Sequence, residues 1–213
     1  MFPKCVIIVM LEGKMSFLCP GQRGGNAVLT KTQALGRYTL TLEKDRRLTA
    51  SMRACAAWAT LEEHDKILDM ACGRGALLAH LSGKYKLTLC GMCDSPEQAR
   101  IARESLGDAD VIPARLEDIP WRDDTFDAAL LPVPLRGEEA RRCLAETMRV
   151  LHTGGQLVMA VPLFRMRQEG ELTRHETMRL MQEAGFRDVS FRAAGLCGVI
   201  VGWKRRAFPD EQE

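Results

Sequence analysis

The chain has no excess of charge of either sign: 30 Lys and Arg residues stand against 28 Asp and Glu residues, a formal charge of +2. Nucleic-acid binders ordinarily carry a clustered basic excess, so the balance argues against such a partner. The two short clusters, Arg141-Arg142 and Lys204-Arg205-Arg206, read as solvated ends of secondary-structure elements. Long apolar runs are lacking as well. Cys5-Val-Ile-Ile-Val-Met-Leu11 is far too short to span a bilayer and is closed by Glu12 and Lys14, which removes the reason to expect a membrane partner. Lys4 stands where a signal peptide would place its charge, but no small-residue cleavage site follows. Eight cysteines are present, yet paired spacing is missing. Cys90-Gly-Met-Cys93 is a lone C-x-x-C on or just past a strand, without the second pair that zinc needs or the helix N-terminus that redox chemistry needs. No metal site is expected. Cys72, Cys90, Cys93 and Cys143 sit in apolar stretches and read as reduced, buried thiols of a cytoplasmic protein. No internal repeat or low-complexity tract occurs.

What is present is a chain of 213 residues, 46% hydrophobic and 27% charged, enough for one sizeable core. Residues 1–43 read as an N-terminal leader and loop without functional weight, with Met10 and Met15 as alternative starts and Gly21, Gly24, Gly25 and Gly36 marking loop. Residues 44–65 form a helical cap, because Leu48, Met52, Ala56 and Ala59 recur near helical spacing. With Trp58 it is a candidate lid over a substrate or, equally, a cover for one edge of a sheet. Residues 66–206 alternate apolar strands with amphipathic helices, and 207–213 are a tail. That alternation implies a three-layer αβα, Rossmann-like fold on a largely parallel sheet. Ser95-Pro96-Glu97 opens one helix with a fitting cap, first-turn proline and acid, and Gly185 ends another.

The chemistry concentrates in Ile67-Leu-Asp-Met-Ala-Cys-Gly-Arg-Gly-Ala-Leu-Leu78. A buried strand carries Asp69 to its carboxyl end, where open α/β sheets bind ligands. Gly73 and Gly75 let the main chain turn and approach a ligand, and the following helix aims unpaired N–H groups at the same spot. An acid beside a donor-rich loop suits a zwitterionic amino-acid group, with an open cleft beside Asp69 to receive it. A dinucleotide site is the weaker reading, because the third glycine of Gly-x-Gly-x-x-Gly is Leu78 here.

This segment resembles motif I of the class I S-adenosylmethionine-dependent methyltransferases, with Ala71 in place of the first glycine. Four more stretches resemble that family in its own order: Gly91 to Glu97, Glu117 to Asp127, Arg149 to Val158, and Glu183 to Val189. Any one is a weak signal; five in order are a strong one. The resemblance covers about Lys66 to Lys204 and implies a seven-stranded, mostly parallel sheet with an antiparallel last strand. It implies S-adenosyl-L-methionine as cofactor, bound by Asp69, Ala71, Cys72, Gly73, Arg74, Gly75, Asp94, Ser95, Leu116 and Glu117. It also implies in-line methyl transfer to an acceptor that is a small molecule, with no residue assigned as catalytic base. The alternative is a non-catalytic relative that binds adenosyl ligands or serves as a scaffold.

Two departures bear on that choice. Where the family carries an acid for both ribose hydroxyls this chain has Cys93, and Asp94 comes one residue late. A bulge that returns Asp94 to the pocket is the favoured expectation. Arg115 stands where many members have an acid near the adenine amino group. Leu131-Pro-Val-Pro-Leu135 lacks the polar residue and the aromatic that cradle a flipped base, which disfavours base chemistry. His64, His80 and His152 read as structural or solvated, and His175 as a weak candidate above the acceptor.

Overall fold

The computed structural model describes the backbone of residues 7–11 and 14–18 and the whole of residues 48–137, 139–163, 167–194 and 197–205. The chain divides into two units, Met1–Asp45 and Arg46–Glu213. In the first, β1 (Ile7–Leu11) pairs antiparallel with β2 (Lys14–Leu18), with Met10 opposite Met15. Residues 7–11 and 14–18, within the stretch expected to be leader and loop, are therefore strand. Lys14-Met-Ser-Phe alternates polar and apolar residues, the two-residue period of a strand. Glycines 21, 24, 25 and 36 and the tail at 207–213 lie outside the described residues.

The second unit opens with α1 (Ala50–Trp58), shorter than the periodicity predicts. Thr49 caps it by accepting the Met52 N–H at 3.1 Å. Strands and helices then alternate: β3 (Lys66–Asp69), α2 (Ala76–Ser82), β4 (Thr88–Cys93), α3 (Pro96–Leu106), β5 (Asp110–Pro113), β6 (Phe126–Leu131), α4 (Glu139–Val150), β7 (Leu151–Pro162), α5 (Arg174–Glu183), β8 (Arg187–Ala194) and β9 (Cys197–Trp203). The sheet order is β5-β4-β3-β6-β7-β9-β8. The first five strands in that order are parallel, and β9 runs antiparallel between β7 and β8. The last strand in sequence is thus the inverted one. Ser95 caps α3 through the Gln98 N–H with Pro96 in the first turn, and Thr173 with Glu176 forms a capping box on α5.

Alternation along each strand sorts the core into two layers. Leu68 of β3 and Met70 just after it lie in a cluster with Leu144, Met181 and Phe186, covered by α4 and α5. Ile67 faces the opposite cluster with Ala54, Cys55, Leu77, Leu78, Ala102 and Val158, covered by α1, α2 and α3. α1 lies on a sheet face against β6, β7 and β9, so it covers neither sheet edge. Its end is pinned by Gln156, whose side-chain amide exchanges hydrogen bonds with the backbone of Thr60. Trp58 is 42% exposed and has the Arg192 guanidinium 5.8 Å from its ring centroid, so the lid reading gains nothing from it.

The amino ends of the parallel strands are tied by charged side chains. Arg149, at the end of α4, donates to Glu146, to Asp123, and to the carbonyls of Ile119 and Trp121 at 2.7–2.9 Å. It fastens the 119–123 loop ahead of β6. Asp127 accepts the Lys66 N–H at 2.7 Å and pairs with Nε2 of His152. His152 belongs to β7, which starts earlier than expected because the β6–β7 register shifts after Phe126 and carries residues 152–155 within the strand. Lys204 donates to Asp124 and to the Leu151 carbonyl.

Candidate cofactor site

The chain reverses its lateral direction between β3 and β6: β4 and β5 lie on one side of β3, and β6 onward on the other. Open α/β sheets bind ligands outside the carboxyl ends of the strands at such a switch point. Asp69 is the last residue of β3, and the backbone leaves it into a tight loop. The Met70 N–H donates to Leu130 of β6, the Cys72 N–H to Met92 of β4, and the Gly75 N–H to Cys72. The loop is therefore fastened to both neighbouring strands. Gly75 has φ +84°, and a Cβ there would lie 2.7 Å from Leu106 of α3, so glycine is needed for both conformation and packing. Gly73 differs. Its φ is +52°, and a Cβ would meet nothing within 4 Å. Beside this residue is the open space of a cradle, and among the described residues no acceptor meets the N–H of Gly73 or Arg74.

Asp69 does not line an open cleft as expected; its side chain is enclosed, with 0% exposure. Oδ1 accepts the Ala71 N–H at 3.2 Å. Oδ2 has no partner, and it is the one buried side-chain N or O atom of that kind among the described residues. Burial pushes the Asp69 carboxyl up to about 7, opposed only by the Ala71 hydrogen bond. The enclosure comes from α1 and from the loop itself. Cys55 of α1 aims its thiol at the Leu131 carbonyl and lies close enough to Asp69, as does Cys72, for that charge to raise the thiol pKa after burial has done so. An orphaned carboxylate oxygen next to a bare stretch of main chain fits a ligand carrying an ammonium group, which supplies the missing donor and charge.

The other expected residues fall into a second group. Leu116 and Glu117, after β5, join Pro134, Leu135 and Arg136, after β6, and Glu139 and Cys143 of α4 around a recess of about 120 Å³. This recess too lies at the carboxyl edge, but its wall belongs to the layer of α4 and α5. Glu117 receives the Arg115 guanidinium at 3.1 Å, while Arg115 itself is 78% exposed. Pro134 and Leu135 belong to the Leu131–Leu135 stretch, whose prolines are read from sequence as stiffening a pocket wall, whereas Arg136 and Glu139 carry no motif that marks them as site residues. At the end of β4 the ladder to β5 runs from Cys90 opposite Asp110 to Cys93 opposite Pro113 without a shift. The bulge expected to return Asp94 is therefore absent. Cys93 is buried, Asp94 is exposed, and Ser95 is half-buried as the cap of α3.

The remaining candidates stay outside the site. His175 is exposed on α5 and accepts only from Arg174. His80 is held below its ordinary pKa by burial, then by Lys84 and Arg53. Cys55, Cys72, Cys90, Cys93, Cys143 and Cys197 are all free and buried. Burial raises the Cys90 thiol to about 11 and Cys143 to about 12, so both are inert. Among the described residues no group of His, Cys, Asp and Glu is placed to hold a metal, and no helix is long and apolar enough to cross a membrane.

Residues 68–159 match the methyltransferase-domain family, and the sheet order and the glycine loop agree with that match. S-adenosylmethionine is the cofactor that this match implies. The chain is 27% identical over 183 residues to a demethylmenaquinone methyltransferase of Paenarthrobacter aurescens (strain TC1), a match covering 68% of this chain and 71% of that protein. It is 33% identical over 97 residues to a demethylmenaquinone methyltransferase of Thermotoga maritima, covering 45% of this chain and 42% of that enzyme. Among solved structures, a TehB-like S-adenosylmethionine-dependent methyltransferase from Corynebacterium glutamicum superposes with a TM-score of 0.62 at 18% identity. That match covers 82% of this chain and 98% of that one, and likeness at such identity speaks for the fold.

Proposed function

We propose that this chain is an S-adenosylmethionine-dependent methyltransferase acting on a small-molecule acceptor, and that Asp69 with the Ala71–Gly75 loop holds the amino-acid end of its cofactor. The single observation carrying the placement is the unpartnered Oδ2 of fully buried Asp69 at the switch point. When bound, the cofactor supplies a methyl carbon activated by the sulfonium. The acceptor's lone pair would bond to that carbon in line as the carbon–sulfur bond breaks, with S-adenosylhomocysteine as the leaving group. Asp69 pairs with the ammonium group, the N–H groups of Gly73 and Arg74 meet the carboxylate, and Cys72 packs beneath the loop. Leu116 and Glu117 bracket the base end in their recess, and Ser95 holds the start of α3 beside it. The protein's contribution is alignment and exclusion of water, so a readily ionised acceptor needs no dedicated base.

A small-molecule acceptor is supported by the names of the relatives, two demethylmenaquinone methyltransferases and an O-methyltransferase. The near-balanced charge supports it as well, since it leaves no electrostatic footprint for nucleic acid. Incubation with methyl-labelled cofactor and a fractionated cell extract should place label in the small-molecule fraction. Label confined to the protein or nucleic-acid fraction would overturn the acceptor class. For the placement, calorimetric titration should show micromolar binding of S-adenosylhomocysteine that Gly73→Asp abolishes. That variant keeps the fold, because the position is open and aspartate tolerates its φ of +52°. Unchanged binding would mean the cradle lies elsewhere.

A further inference from the structure

A ribose offers two vicinal hydroxyls, and nucleotide sites on doubly wound sheets meet them with a carboxylate at the end of the strand beside the glycine loop. In this chain that strand is β4. Gly91 lies opposite Asp69 in the β3–β4 ladder, and Cys93 follows two residues later at the strand's end. Cys93 is 4% exposed, donates its thiol to the Ser95 carbonyl at 3.4 Å and packs against Cys72 of the glycine loop. Its capacity is already spent within the protein. Asp94 is exposed, and its own N–H is taken by the Gln98 side chain at 3.2 Å. Glu97, the next carboxylate, is committed to the Arg100 guanidinium through both oxygens.

Resting on the cofactor placement above, we infer that Cys93 makes the site indifferent to the ribose hydroxyls, so that adenosyl ligands with a deoxyribose bind as well as the parent. The cofactor is held at its two ends: the ammonium at Asp69, the base in the recess at Leu116 and Glu117. The sugar bridges them without a charged partner. A thiol accepts hydrogen bonds weakly, whereas a carboxylate accepts two strong, charge-assisted ones. The chain therefore forgoes the contact that reads the sugar.

The test is calorimetric titration of the full chain with S-adenosylhomocysteine and with its 2′-deoxy and 3′-deoxy counterparts. Wild type should bind all three within about threefold, and Asp94→Asn should bind each within about threefold of wild type. Cys93→Asp should bind the parent about ten- to hundredfold tighter and now reject both deoxy ligands by about tenfold or more. A tenfold preference of wild type for the parent overturns the inference. So does a tenfold loss in Asp94→Asn, which would make Asp94 the ribose ligand, or a Cys93→Asp protein that folds and gains nothing. If Cys93→Asp does not fold, the three ligands on wild type decide. Failure of the parent itself to bind at millimolar concentration is a different result: it removes the cofactor placement, and this inference with it.

Discussion

Asp127 and Asp69 lie near opposite ends of two neighbouring strands, β6 and β3, and differ in what the fold gives them to bind. Asp127 has a backbone N–H on one oxygen and the His152 ring on the other. Around it Asp123, Asp124 and Glu146 are each met by Arg149 or Lys204. Asp69 is the more deeply buried, where an unmet oxygen costs most, yet it has one backbone N–H and nothing on Oδ2. The amino edge is built for cohesion: its charges neutralise each other and tie loop to strand. The carboxyl edge keeps a deficit at one atom, and in the placement proposed above a cationic ligand group would fill it. Stability surrendered at a site and stability secured away from it are two aspects of one sheet.

The sharpest way to break the comparison is Asp69→Asn, which is nearly isosteric but cannot ionise. It should lower affinity for S-adenosylhomocysteine about hundredfold at pH 8 while stabilising the free protein by about 2 kcal/mol, seen as a rise in Tm of about 4–8 °C. The sign follows from a folded pKa raised from 3.8 to about 7. Stability from this group is fully present below pH 3.8 and lost as pH rises through about 7, a penalty that asparagine escapes. Pairing with the ammonium requires the carboxylate, so wild-type affinity should rise with pH up to about 7 and then level off. The variant's affinity should be flat with pH. A variant that binds normally, or one less stable than wild type at pH 8, would end the claim that Asp69 is held in deficit for a ligand.

The opposite edge should respond the other way. Arg149→Ala frees the 119–123 loop and leaves the half-buried Glu146 without its cation, destabilising by about 2–3 kcal/mol in urea unfolding. Affinity for the cofactor product should change little. A comparable loss of affinity without loss of stability would show that the loop positions the site. The smallest effect belongs to His152. Asp127, and then the Thr153 carbonyl, raise its pKa against a lowering by burial. Its contribution is present below the unfolded histidine pKa and lost as pH rises through the folded one. The pair is more than a third exposed on the histidine side, so solvent screens it; His152→Gln should shift Tm by about 1–2 °C at pH 6 and less at pH 9. An equal shift at both pH values would remove the ionic part of the contact.

How much of this could be read in advance follows from range. The strands and helices of the second unit were legible because apolar period, caps and glycine loop are local signals: Ser95 with Pro96, Gly73 with Gly75, and Gly185 after α5 all act within a few residues. The start of β7 was not, because its first residues owe their strand pairing to Phe126 of β6 rather than to their own alternation. Arg149 was visible only as part of a family-like stretch, and three of its five hydrogen bonds reach back across nearly thirty residues of sequence. The choice between Asp94 and Cys93 turned on a single residue of register, which a one-residue offset in sequence leaves open and a continuous β4–β5 ladder closes.

By itself the sequence determined the alternating α/β order, the acid and bare loop at the end of the first parallel strand, and the thiol where a sugar-binding acid is expected. Each is a matter of residue type at short spacing, and short-range sterics suffice to specify it. Only the tertiary structure decided that α1 closes over Asp69 and that Leu116 and Glu117 share a recess with Pro134 to Cys143. It alone left one carboxylate oxygen unmet. Burial and hydrogen-bond supply depend on which distant segments the sheet brings side by side, and no local pattern encodes that.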